Sequence, residues 1–101
     1  MTYDYKKTAE RLKALRTERG ISHERMSDAI KKQYGVNMSK QTLINYENAE
    51  EFSTKAGAAK GMSAERMATL ADYFGVSADY LLGISDSPSI RENMRIAQKT
   101  L

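Results

Sequence analysis

The chain has no cysteine and no tryptophan, and only one proline and one histidine among its 101 residues. Without cysteine there is no disulfide framework and no thiolate metal site, which fits a reducing cytoplasm. A lone histidine excludes an imidazole-rich metal centre. No apolar run approaches the roughly 18 residues of a membrane span, and Met1-Thr2-Tyr3-Asp4-Tyr5-Lys6-Lys7 lacks the apolar stretch of a signal peptide. The expectation is a soluble cytoplasmic protein without a membrane role. A glycine-rich phosphate loop, a nucleophile–base set and clustered metal ligands are also missing. Asp72, Asp79 and Asp86 recur every seven residues, but they fall near expected helix ends and starts, where capping accounts for them. The chain therefore reads as a non-enzyme with no cofactor, no metal and no small-molecule substrate.

What is present points to helices. Hydrophobic residues make up 41% and charged residues 29%, a globular balance, and the length suits one domain with a modest core. Few β-branched residues and many Ala, Leu, Met, Glu, Lys and Arg favour helix throughout. The net charge is +3 and unevenly placed. Residues 1–60 hold 12 Lys/Arg against 8 Asp/Glu (+4), and residues 61–101 hold 4 against 5 (−1). A basic front half beside a near-neutral back half suits a nucleic-acid surface joined to a packing or partner surface, and equally a solvated lysine-rich face.

Helix signals recur along the chain. Tyr5 to Arg19 reads as a first helix with Ala9, Leu12 and Leu15 on one stripe, stopped by Gly20. Ile21 follows the stop and can fold back onto that stripe. Ser22 caps a second helix, with Glu24 near its positive end and Met26, Ala29, Ile30 and Tyr34 on its apolar side, ended by Gly35. Val36-Asn37-Met38 forms the turn to Ser39. Ser63 caps a helix carrying Met67, Leu70, Ala71 and Phe74 and stopped by Gly75. Ser77 caps a short one carrying Tyr80, Leu81 and Leu82 and ended by Gly83. The parallel between Ser22…Gly35-Val36 and Ser63…Gly75-Val76 is shared helix grammar, since a repeat fold needs about three or more units. Between them, residues 49–61 have no clean period and contain two glycines, which reads as a long loop. After Pro88, Ser89-Ile90-Arg91-Glu92 is a capping-box sequence that opens a helix with Ile90, Met94, Ala97 and Leu101 on one stripe.

The segment Ser39 to Asn48 carries the most chemistry. Ser39 caps it, and Leu43 and Tyr46, three apart, can face a core together. Lys40, Gln41, Ile44 and Asn45 then project outward. Lys, Gln and Asn hydrogen-bond to base edges or phosphates, and Ile44 is suited to a thymine methyl.

These pieces resemble a known family. Arg11-Leu12-Lys13-Ala14-Leu15-Arg16 with Gly20-Ile21-Ser22, then Ser39-Lys40-Gln41-Thr42-Leu43 with Asn45-Tyr46-Glu47-Asn48, then Leu70-Ala71-Asp72-Tyr73-Phe74-Gly75-Val76-Ser77-Ala78-Asp79-Tyr80-Leu81-Leu82-Gly83, are similar in order and content to the Cro/repressor-type (xenobiotic-response-element-like) helix-turn-helix domain of bacterial and phage transcriptional regulators. The resemblance implies an all-α, compact five-helix lambda-repressor-like bundle over residues 1–83. Residues 84–101 would then be a linker and C-terminal amphipathic helix, for dimerisation or as the start of a further region. It implies that the third helix lies in the major groove while the second crosses the backbone. Lys40, Gln41 and Asn45 become the base readers, although Lys40 equally suits a phosphate. Ser39 and Thr42 become phosphate contacts, and Ile44 a supporting one. His23 stands where the family usually has Gln and is expected either to touch a phosphate or simply to lie exposed. Arg16 and Glu47 are expected to form a structural ion pair tying the first helix to the third.

Two departures stand out. Seventeen positions separate Ser22 from Ser39, more than the family's commonest spacing, so the second helix is expected to gain a turn holding Lys31, Lys32 and Tyr34. The loop after Asn48 is also long. Lys55 and Lys60 could reach flanking phosphates from it, or it could be a plain solvent loop. The functional expectation is a sequence-specific regulator of double-stranded DNA, most simply a repressor. It would act as a homodimer on a two-fold operator, with Ile90, Met94, Ala97 and Leu101 as candidate dimer contacts or as a stripe packed on the chain's own core. Resemblance to longer regulators also implies, as an expectation, a DNA-binding segment cut from a larger protein. The alternative is a protein-interaction module, an antitoxin or anti-repressor partner, on the same fold.

Overall fold

The structure is a computed structural model that describes residues 5–48 and 62–88. The expected loop with Lys55 and Lys60, and the expected helix with Ile90, Met94, Ala97 and Leu101, lie outside the described residues. Those residues form five helices and no strand: α1 Tyr5–Arg19, α2 His23–Tyr34, α3 Lys40–Tyr46, α4 Ala64–Phe74 and α5 Ala78–Leu81.

Local sequence sets the boundaries. Ser22, Ser39, Ser63 and Ser77 each sit in extended backbone and accept a hydrogen bond from the backbone N–H three residues on, at 3.0–3.2 Å. Each bond satisfies one of the first-turn donors that a helix leaves unpaired. Gly35 and Gly75 end α2 and α4 in the left-handed region, at φ 68° and 69°, where a side chain would be strained. Ser39→Ala is therefore expected to cost about 1 kcal/mol, read as a lowered midpoint in urea denaturation.

Packing follows the apolar stripes. Leu12, Met26, Ile30, Leu43, Tyr46, Met67, Leu70, Phe74 and Leu81 form one core, with Leu15 and Ile21 packed against it. α1 contributes a narrow apolar face, and Thr8 falls within it. Its buried hydroxyl donates to the carbonyl of Leu81 at 2.6 Å, which removes the cost of burying it unpaired.

Three expectations need amending. Met38, read as part of a turn, is 1% exposed and belongs to the core, with the Ser27 hydroxyl donating 2.6 Å to its carbonyl. The approach to α3 is therefore a packed segment. α5 stops at Leu81 with Leu82 as its C-cap, ahead of Gly83. None of the heptad-spaced aspartates caps α2–α5, where serines hold the N-cap positions; Asp72 instead accepts from the Tyr34 hydroxyl at 2.6 Å, and Asp86 pairs with Arg11 at 2.7 Å. The Tyr34 bond joins the last turn of α2 to α4.

Candidate nucleic-acid interface

α3 is held from behind and open in front. Leu43 and Tyr46 are 2% and 1% exposed, so the helix is pinned to the core along one side. The Tyr46 hydroxyl accepts from Arg66 of α4 at 2.7 Å, and the same guanidinium donates to the carbonyl of Asn37 at 3.2 Å. On the opposite side Lys40 and Gln41 are exposed and Thr42, Ile44 and Asn45 half-buried. The side-chain amide of Gln41 donates to Oδ1 of Asn45 at 3.0 Å, the i, i+4 spacing of one helical face. Ser39 and Thr42 hydroxyls lie 2.9 Å apart at the start of the helix.

The electrostatics of this face favour a polyanion. α3 contains Lys40 and no acidic residue. The nearest carboxylate along the chain, Glu47 at the C-cap, has a side chain only 8% exposed and is turned inward. Its Oε2 accepts from Nε of Arg16 at 2.7 Å and its Oε1 from Nη2 at 3.1 Å, a two-pronged ion pair. Arg16 also donates from Nη1 to the carbonyl of Ile21 at 2.9 Å, so one guanidinium joins α1, the α1–α2 turn and the end of α3.

His23 opens α2 beside this pair. Its Nε2 lies 3.1 Å from Oε1 of Glu47, yet the nitrogen is buried and makes no hydrogen bond: the distance is right and the alignment is not. Lys13, Arg16, His23, Ile44, Glu47 and Asn48 together line an open cleft of about 490 Å³ where α1, α2 and α3 meet.

Two positions matter here that their place in the sequence did not mark. Arg66 occupies the first turn of α4, the positive end, where a cation is unfavourable. That misplacement is a signal, but Arg25 holds the same position in α2 and is exposed, so the pattern alone does not separate them. Arg11, seen only as part of a motif, donates to the carbonyls of Tyr80 and Ser85 and to Asp86, with its guanidinium carbon 4.2 Å from the centre of the Tyr80 ring. It ties the turn after α5 to α1.

Among the described residues no group of three or more His, Asp or Glu is placed to hold a metal ion, and no described helix is long and apolar enough to cross a membrane. A short capped helix, buried on one side and presenting amides and a lysine on the other, with a second helix packed across it, defines a helix-turn-helix module. Residues 9–83 match the model of the helix-turn-helix domain family, and the chain belongs to that family, in keeping with a DNA-binding domain of the Cro/repressor type. No curated protein and no solved structure matches it.

Proposed function

We propose that this protein is a sequence-specific regulator of double-stranded DNA, a repressor, that places α3 in the major groove. The observation that carries this is the makeup of the α3 face: Lys40 and Gln41 are exposed with Ile44 and Asn45 half-buried beside them, while Glu47, the nearest carboxylate along the chain, is paired with Arg16. Lys40, Gln41 and Asn45 read base edges. Ser39 and Thr42 hold phosphates, and Ile44 contacts a thymine methyl. Residues 1–83 are the reading domain, and Ile90, Met94, Ala97 and Leu101 join two copies, so that paired heads meet half-sites about 34–36 Å apart. The protein works in the cytoplasm, where its operator lies.

Selection of bound duplexes from a random pool tests this directly. A two-fold symmetric motif is expected, with affinity falling steeply as salt rises because each neutralised phosphate releases counterions. A bound pool with no preferred sequence, or binding indifferent to salt, would overturn the reading. Lys55→Ala and Lys60→Ala are expected to weaken binding evenly across sequences and to flatten the salt slope by about one each, as for lysines touching only phosphate.

A further inference from the structure

We propose that His23 is a proton-operated positioning residue: in its charged form it joins Arg16 in gripping Glu47, and so fixes the C-terminal end of α3 against α1 and α2. The starting point is the buried Nε2 that lies 3.1 Å from Oε1 of Glu47 without forming a hydrogen bond. A neutral imidazole gains little there. With Nε2 bare, its lone pair faces a carboxylate oxygen; with Nε2 protonated, the N–H is not aligned with that oxygen. An imidazolium needs no alignment, because attraction between charges depends on distance alone. The charge state of His23 therefore decides whether the contact holds. Since Nε2 faces a carboxylate, the nitrogen is not itself an anion ligand.

Glu47 is well placed to pass that grip to α3. Its backbone N–H bonds to the carbonyls of Leu43 and Ile44, both at 3.2 Å, and that of Asn48 bonds to Asn45 at 3.1 Å, so the carboxylate and the last turn of α3 move together. The groups facing His23 across the cleft are Lys13 and Arg16 from α1 and Glu47 from the end of α3, with Ile44 and Asn48 uncharged. Arg16 and Glu47 offset each other. Lys13 and the positive end of α2 oppose a further cation, whereas Glu47 favours it. A DNA phosphate drawn toward this basic cleft adds to the favourable side, so tighter DNA binding accompanies proton uptake at His23. The sign is definite: the grip is present while the imidazole is charged and is lost when it is neutral.

The DNA arm rests on the function proposed above; the grip on α3 does not, and it is read in the free protein. Backbone amide exchange, corrected for its intrinsic pH dependence, is followed at Glu47 and Asn48 at about pH 6 and about pH 8. The wild type is expected to show protection greater by about two- to fivefold at the lower pH, the size of a partly exposed ion pair. His23→Gln, which keeps a polar side chain without a titrating charge, is expected to show the same protection at both. If His23→Gln fails to fold, Glu47→Gln serves in its place, since it retains an acceptor for Arg16 while removing the charge that attracts the imidazolium. The second arm measures affinity for the best selected duplex at constant salt over the same range: tighter at low pH in the wild type, level in the variant. The same pH dependence in wild type and variant, in either arm, overturns the proposal. A pH step in α3 protection without any preferred duplex supports the positioning role and sinks the DNA reading instead.

Discussion

Glu47→Ala is expected to destabilise the domain by about 3 kcal/mol, near the lower end of what breaking a buried ion pair costs. The lower end applies because the side chains of Arg16 and Glu47 are 14% and 8% exposed and border an open cleft, so water softens the loss. The dominant cost is not the missing attraction. Arg16 would keep its bond to the Ile21 carbonyl, but its Nε and Nη2 would lose their acceptors while enclosed by protein. In a domain whose total stability falls around 5–15 kcal/mol, this is a large share. It corresponds to a thermal midpoint lower by more than about 10 °C, measured by helical circular dichroism. Removing both charges at once separates the two terms. Arg16→Met with Glu47→Leu leaves no orphaned ion and is expected to recover most of the loss, since apolar replacement of both partners is commonly near neutral. If Glu47→Ala is no less stable than the double variant, the pair does not link α1 to α3 energetically.

The parts of this fold legible in the sequence are those decided within about one helical turn. Four serines cap four helices because the hydroxyl needs only the backbone N–H three residues later. Gly35 and Gly75 end helices because the left-handed turn needs no Cβ. The apolar stripes of α2 and α4 follow for the same reason, as spacing on one helix settles which side chains share a face. What crosses between helices was not legible from local pattern; the Arg16–Glu47 pair, which is present, was expected only through the family resemblance. Nothing near Arg11 in the chain announces carbonyls at Tyr80 and Ser85, nor does Asp72 reveal that Tyr34 will reach it from α2. Met38 sits between two polar residues, Asn37 and Ser39, with no periodic partner, so its burial depends wholly on how α2 and α3 meet. At the interface the same division holds. The outward face of α3 could be read from spacing, whereas the contact of His23 with Glu47 depends on the packing of three helices.

That outward face sets the second large effect, because Gln41 and Asn45 already act as a unit before any DNA arrives. The amide of Gln41 donates to Oδ1 of Asn45 at 3.0 Å, which restrains both groups and leaves Oε1 of Gln41 as an acceptor and the amide of Asn45 as a donor for a further partner. An acceptor and donors held side by side are the pattern that a Gln or Asn uses to read an adenine edge, worth about 1–3 kcal/mol against a wrong base. Gln41→Ala and Asn45→Ala should therefore each weaken the best duplex by about 5- to 150-fold while changing binding to mismatched duplexes little. Each single change also frees the other side chain from its fixed orientation. The double variant is thus expected to cost clearly less than the sum of the singles, with a coupling of about 0.5 kcal/mol or more. Lys40→Ala distinguishes a charge from a reading group, since loss of a phosphate contact weakens matched and mismatched duplexes alike. Strict additivity of Gln41 and Asn45 on the selected duplex would show two independent contacts. No loss of preference from either would place the reading surface away from α3, and with it the proposed function.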